Sequence, residues 1–333
     1  MERRFAVRYE ELLAEAEVKP DALEGVLGRL GEFVGPFAAN LKYPAQREHA
    51  WEYVSGLVSN VHRKNIESIA YLHEHDRQPL QKFIGQNDWE WEPMIDELAR
   101  QIGASLGRAD GVLVIDPSGV LKQGKASVGV ARQWCGRAGK VDNCQVGVYL
   151  GYVAREEHAL VDMRLYLPKE WTKDKKRCRK AKVPNEIRFR TRHELTLEML
   201  DRHRAALPHA WVSGDDEMGR STAFRDALRA RNEQYLLAVP SNTLVRDLDA
   251  EPPPYCGMGK RPMASFQRAD KLMKTATHWT RIEVRPGEKG PLVVEAVKFR
   301  GQTKRGRRNG PEETLVIFRE RQGDQTVKHD YCL

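Results

Sequence analysis

The sequence predicts a mixed α/β protein in three parts, and changes of hydrophobic period along the chain predict it. Up to about residue 106, apolar residues recur at three- and four-residue spacing, the period of helices. From Gly111 the texture becomes short apolar runs and alternation, the mark of strands, with helical stretches between the later ones. After Pro240, Pro- and Gly-rich loops separate further alternating segments. The expected domains are therefore 1–106, helical; 107–240, a sheet with helices; and 241–333, β-rich.

At 333 residues the chain can bury a substantial core in two or three units. With 41% hydrophobic and 31% charged residues it reads as globular rather than disordered. Lys and Arg number 55 against 47 Asp and Glu, and the net charge of +8 favours a polyanionic partner without establishing one. The five cysteines are scattered with no Cys-x-x-Cys pair, which argues for a reducing compartment and against a disulfide framework or a four-ligand zinc site. No apolar run approaches the roughly 20 residues of a membrane span. A soluble, cytoplasmic protein with no membrane partner is expected.

In the first part, Trp51, Val54, Leu57, Val58 and Val61 share helical spacing, as do Ile66, Ile69 and Leu72. Pro79 suits the first turn of a short helix carrying Leu80, Phe83 and Ile84, and Met94, Ile95, Leu98 and Ile102 resume the period after Asn87 and Asp88. Residues 64–86 read equally as a helix-turn-helix, with Lys82 and Gln86 outward, or as part of a plain bundle. In the second part, 112–115 is a buried strand that Pro117 is expected to stop. Residues 127–134, 145–153 and 160–167 read as strands, 193–206 as a helix and 210–214 as a strand ending at Asp215. A helix over 221–231 and a strand over 235–239 follow. Strands first, then helix–strand–helix–strand, is the order of a ribonuclease-H-like core. In the last part, 279–284, 292–299, 314–319 and 326–331 read as antiparallel strands.

Two carboxylates stand in equivalent places, for Asp116 and Asp215 each follow an apolar strand. Parallel neighbouring strands would bring both to one edge of the sheet. Two oxyanions there repel each other unless a cation lies between them, the way a Mg²⁺ site is built. The pattern alone also fits two turn or helix caps, and Asp216 and Glu217 leave the ligand at that position open. The Lys-, Arg- and Gly-rich stretch after Asp116 suits a phosphate backbone. Lys122, Lys125, Arg132 and Arg137 are the candidate DNA contacts, with Arg132 alternatively the partner of a buried carboxylate. Trp134 is expected in the core rather than as a base-stacking platform. Residues 173–182, with seven bases and one acid, and 298–308, with six bases and no acid, suit phosphate contact or a solvated loop.

The run Lys-Gln-Gly-Lys-Ala-Ser-Val-Gly-Val-Ala-Arg-Gln-Trp-Cys-Gly-Arg-Ala-Gly-Lys-Val-Asp-Asn-Cys-Gln-Val at 122–146 resembles the signature of a branch of bacterial insertion-sequence transposases of the DDE type. So do Arg-Leu-Tyr-Leu-Pro-Lys-Glu-Trp at 164–171, Gly-Asp-Asp-Glu-Met-Gly-Arg at 214–220 and Ala-Val-Pro-Ser-Asn-Thr at 238–243. The similarity runs from about residue 51 to the end. It implies a ribonuclease-H-like catalytic core at 107–240 between a helical, DNA-binding region at 1–106 and a β-rich insertion at 241–333. Asp116 and Asp215 become the first two catalytic carboxylates and the ligands of Mg²⁺ or Mn²⁺. The implied chemistry is two-metal phosphoryl transfer: water cuts at the element's ends, and the freed 3′-hydroxyl attacks target DNA. The implied partners are double-stranded DNA, both element ends and target, and a second copy of the chain, with no small-molecule cofactor.

In that family the third catalytic residue is a Glu on a helix after the β-rich insertion. This sequence stops at Asp330-Tyr331-Cys332-Leu333, where the resemblance places the end of an insertion strand, so a C-terminally truncated copy is expected. Glu283, Glu295, Glu313 and Glu320 are substitutes, each within or beside strand-like sequence. Loss of the covering segment is expected to expose apolar surface on the core sheet. Whether such a copy still cuts DNA is separate from its ancestry. The rival readings are a DNA-binding remnant that inhibits a full-length transposase, and a metal-dependent phosphatase or nuclease, which leaves the basic runs unexplained.

Overall fold

The computed structural model describes residues 25–155, 157–285, 291–306, 308–321 and 326–333. Residues 1–24 of the expected helical part, and Arg307 of the second basic run, lie outside these. The chain divides into two units, Met1–Leu98 and Ala99–Leu333.

The first unit is helical, as its period predicts. It contains α1 (Val26–Ala38), α2 (Pro44–Val58), α3 (Ile66–Leu72) and α4 (Arg77–Gly85), and the division falls within α5 (Glu92–Leu106). Pro44 opens α2, where its missing donor costs nothing. Asn65 caps α3 by accepting from the Ser68 N–H at 2.8 Å, and Asp76 caps α4 through the Gln78 N–H at 2.7 Å. Leu41, Ile69, Ala70, Leu80 and Phe83 form the core. The apolar face expected of α2 is not the buried one. Leu57 and Val58 are exposed, while Glu52 and Gly56 are buried. Gly56 faces Ile69, whose Cγ2 would lie 2.4 Å from an added Cβ, so close approach of α2 and α3 decides the face. Glu52 is accommodated by His49 at 3.0 Å and His75 at 2.6 Å. Residues 64–86 fold as the two short helices α3 and α4 joined by a turn, which suits either reading of this segment, with Lys82 and Gln86 exposed.

In the second unit the first sheet contains β1 (Val112–Leu121), β2 (Ala131–Cys135), β3 (Lys140–Ala154) and β4 (Glu157–Leu165). Then come α6 (Lys169–Lys173), α7 (Lys175–Lys180), α8 (Arg192–His203), β5 (Trp211–Gly214), α9 (Asp216–Arg220), α10 (Thr222–Ala230) and β6 (Tyr235–Leu237). β3 pairs antiparallel with both β1 and β4, whereas β1–β5 and β5–β6 are parallel. The resulting order β4-β3-β1-β5-β6, three antiparallel strands followed by two parallel ones, is the expected ribonuclease-H-like arrangement. Buried Val146, Val148, Leu150 and Tyr152 alternate along β3 and anchor it. A capping box, Thr191 with Glu194, starts α8, which buries Leu195, Met199 and Leu200.

Of the strand limits that differ from expectation, those of β1 and β2 have a clear cause. β1 does not stop at Pro117 but runs through it to Leu121. Amide direction alternates along a strand, and the Lys122 N–H reaches the Asn143 carbonyl at 2.9 Å, so the nitrogen of residue 117 faces away from β3. β5 has already ended opposite Ile115, and no hydrogen bond is lost there. β2 begins only at Ala131, because Gly129 takes φ +79° and the Val130 N–H closes a turn onto the Ser127 carbonyl.

The second sheet holds β7 (Leu244–Asp247), β8 (Gln267–Arg268), β9 (Thr280–Arg285), β10 (Leu292–Arg305), β11 (Arg308–Arg321) and β12 (Val327–Cys332), with α11 (Ala269–Leu272) after β8. Its order is β12-β11-β10-β7-β8, with β9 also on β10, and all pairings are antiparallel. Val245, Leu272, Leu315 and Ile317 form its core. β6 is paired on its outer side by the end of β12 and the residue after it. Leu237 and Leu333 exchange N–H···O bonds of 2.8 and 2.9 Å, and the Val239 N–H reaches the Tyr331 carbonyl at 2.7 Å. Apolar side chains do project from β4, where Leu160, Met163 and Leu165 are exposed. Among the described residues no helix is long and apolar enough to cross a membrane.

Candidate active site

Ile115 and Gly214 are the last paired residues of the parallel strands β1 and β5, and the next residue on each is Asp116 or Asp215. Both carboxylates therefore stand where the two strands part. They line one cleft of about 970 Å³.

Two glycines shape its walls. A Cβ on Gly119 would lie 2.9 Å from the Cys135 Sγ and 3.3 Å from the Cys135 Cα. Glycine there lets the β2–β3 hairpin fold over the end of β1, which brings Trp134 and Arg137 to the cleft. On the other wall, Asp215 caps α9 by accepting from the Glu217 and Met218 N–H groups at 3.1 and 3.2 Å. Gly219 lets α9 lie against β6, since an added Cβ would meet the Ala238 carbonyl oxygen at 2.0 Å. Asp215 is thus a helix cap, one of the two alternatives read from its sequence, and it also lines the cleft.

The charges at the cleft are sorted into pairs. Asp216 bonds Arg220 at 2.6 Å and Glu217 bonds Arg192 at 2.6 Å. Neither Asp116 nor Asp215 has a cationic partner among the described residues. Surrounding protein holds the Asp215 carboxyl above its ordinary value by burial, although the residue as a whole is exposed. The Met218 and Glu217 amides oppose that shift, while the negative charges of Glu217 and Asp216 add to it. Two carboxylates without a counter-cation, in a cleft with arginines, fit a hard divalent ion. Such an ion takes one or two carboxylates and completes its shell with water and substrate phosphate. Among the described residues no cluster of three or more His, Cys, Asp or Glu side chains could hold a metal, so an all-protein cage is not present there.

The remaining predicted residues separate clearly. Arg137 lines the cleft; Lys122, Lys125 and Arg132 do not. Arg132 is exposed on β2; buried carboxylates are met instead by Arg225, at Glu313, and by Arg164, at Asp162. Glu283, Glu295, Glu313 and Glu320 do not line the cleft. Glu295 is held by Arg319 at 2.8 Å on the second sheet. Trp134 is a correction: it is 56% exposed and lines the cleft, not the core. In the 173–182 run, Arg177 stacks 3.6 Å over Trp171 and donates to the Lys125 carbonyl at 2.7 Å, so that base is structural. Arg192, His193 and Arg220 line the cleft without having been singled out. The Thr191-x-x-Glu194 capping box was the available signal for the first two, because it fixes where α8 begins.

The family model for DDE superfamily endonucleases matches residues 36–291. The chain is 26% identical over 247 residues to a probable transposase for insertion sequence element IS701 of Microchaete diplosiphon. That alignment covers 73% of this chain and 60% of the relative, so the chain spans about 60% of the length of the curated protein it matches. Among solved structures, the Mos1 strand transfer complex is 15% identical, with 69% of this chain and 71% of that chain covered at a TM-score of 0.21. The Mos1 paired-end complex with the left transposon end is also 15% identical, covering 58% and 59% at a TM-score of 0.20. Likeness at that level places no residue.

Proposed function

The chain belongs to the DDE superfamily endonucleases, and from that membership we propose that it is an insertion-sequence transposase that cleaves and joins DNA, with Asp116 and Asp215 as its first two catalytic acids. One observation carries the proposal: two carboxylates on adjacent parallel strands line one cleft and lack a cationic partner among the described residues. They would hold divalent ions, Mg²⁺ or Mn²⁺, whose chemistry is to activate the attacking oxygen and stabilise the leaving one.

The protein's own part is positioning and charge. The α9 amides hold the Asp215 carboxylate at the end of β5. Arg192 and Arg220 tie back Glu217 and Asp216, leaving Asp116 and Asp215 for the ions. Arg137 meets the phosphate entering the cleft, and Lys122, Lys125 and Arg132 follow the duplex beyond it. Work on two element ends calls for two copies of the chain.

The test is nicking of element-end duplex with Mg²⁺ or Mn²⁺ by the wild-type chain, Asp116→Asn and Asp215→Asn. Loss of nicking in both variants supports the proposal; wild-type nicking in either variant overturns the assignment of that residue. A second reading is a DNA-binding remnant that inhibits a full-length relative. It is favoured by the absence of Glu283, Glu295, Glu313 and Glu320 from the cleft lining. Salt-sensitive DNA binding by the wild type and both variants, with no nicking by any, would select that reading.

A further inference from the structure

One large side chain at the cleft has no part in holding ions or meeting phosphate. Trp134 is more than half exposed on β2 and lines the same cleft as Asp116 and Asp215. Its indole N–H has no partner among the described residues. Trp171 is the contrast within the same unit: fully buried, its N–H donates to the Val130 carbonyl at 2.8 Å and Arg177 covers its ring. An indole left in water forgoes the large burial that makes aromatic residues valuable inside proteins or at contacts. Val141, directly opposite Trp134 on β3, is also exposed and extends the apolar shelf. Arg137, just past the end of β2, lines the cleft and forms no ion pair among the described residues.

Resting on the DNA-cleavage reading, we propose that Trp134 is the stacking platform for an unpaired nucleobase beside the scissile phosphate, and that Arg137 meets the phosphate attached to that base. The two side chains together specify the occupant. A flat aromatic face accepts another π face of any sequence, and an unpaired guanidinium beside it accepts an anion. A nucleotide supplies both. Bases stacked within a duplex offer only their edges, so the occupant is extruded or single-stranded. The carboxylates lining the same cleft place this nucleotide next to the bond that is cut.

The test compares binding of single-stranded oligothymidylate with an abasic strand of equal length and charge, by fluorescence anisotropy in metal-free buffer. The wild-type chain is expected to prefer the base-bearing strand by roughly 5- to 100-fold. Trp134→Phe keeps most of that preference. Trp134→Ala loses it while binding the abasic strand as the wild type does, which also shows that the variant is folded. Arg137→Gln weakens both strands alike. A wild-type chain that binds the two strands equally overturns the proposal, as does Trp134→Ala that keeps the preference or weakens both strands equally. An unchanged affinity in Arg137→Gln overturns the part given to Arg137. No cleavage enters the measurement, so nicking that survives Asp116→Asn and Asp215→Asn would remove the catalytic reading and leave this result separately readable.

Discussion

Arg225 Nε lies 2.8 Å from Glu313 Oε1, with both side chains almost fully buried. Arg225 is on α10 of the ribonuclease-H-like part and Glu313 is on β11 of the second sheet. Glu313 also accepts from Arg229 at 3.0 Å, the Tyr235 hydroxyl at 2.7 Å and the Thr303 hydroxyl at 2.8 Å. Arg225 donates in turn to the Gly219 carbonyl, on the short helix that Asp215 caps. A buried charge is tolerated here because every side of it meets a partner. The second sheet is thereby tied to the backbone that carries a proposed catalytic acid.

Glu313→Ala is expected to destabilise the fold by about 3–5 kcal/mol, because it strands the Arg225 guanidinium in the interior. Urea denaturation of the wild type and the variant measures it. The double variant Arg225→Met/Glu313→Leu should recover most of the loss, since it buries no unpaired charge. A double variant no more stable than Glu313→Ala would show that the network also positions groups that hydrophobic packing cannot replace.

The same carboxylate gives the fold an acid limb. Burial alone would push Glu313 up, but the Arg225 charge and the bonds from Arg225, Tyr235 and Thr303 outweigh it and hold the group below its ordinary 4.5. A depressed folded value contributes stability that is present above the unfolded value and is lost as pH falls through the folded one. The stability difference between wild type and Glu313→Gln should therefore be constant above pH 4.5 and shrink as pH falls below it. Urea midpoints for both chains from about pH 6 to about pH 3 check this; a difference that grows on acidification contradicts it.

The core was legible because its cues are local. The apolar runs before Asp116 and Asp215 mark two strands, and only their parallel pairing, β1 beside β5, had to be assumed. Pro117 misled because a missing donor matters only on a paired side, and which side is paired depends on where β5 stops. Trp134 misled for a related reason. A tryptophan in an apolar strand reads as core, and the fold of the β2–β3 hairpin over Gly119 is invisible to periodicity. Glu313 reads in the sequence only as a substitute catalytic acid. Its four donors come from positions 225, 229, 235 and 303, a convergence that no spacing rule reports.

Gly219→Ala should disturb the wall that carries Asp215. The added methyl would sit 2.0 Å from the Ala238 carbonyl oxygen, which is backbone and cannot rotate aside. Overpacking of this kind costs about 1–3 kcal/mol, and the helix capped by Asp215 has to move with it. Gly136→Ala is the control, because nothing lies within 4 Å of its added Cβ. Thermal denaturation should separate the two variants, and equal stability would mean that α9 does not lie against β6 in solution.

Thiol chemistry reads the pairing of residues 331–333 with β6. Of the five cysteines, Cys256 is exposed and Cys135, Cys144, Cys178 and Cys332 are buried. Burial pushes the Cys332 thiol up to about 11, with the nearby Asp330 charge adding to the shift. Burial also raises Cys144, with Cys135 beside it reinforcing the change. The thiolate is the reacting form, so these groups are shielded by position and by protonation together. A disulfide reagent at about pH 8 should label one thiol per folded chain quickly, and Cys256→Ser should remove that fast phase. Mass spectrometry of the labelled peptides locates the modification. Rapid labelling of Cys332 in the native chain would mean that Leu333 leaves its hydrogen bonds to Leu237, and that the edge of the first sheet opens without global unfolding.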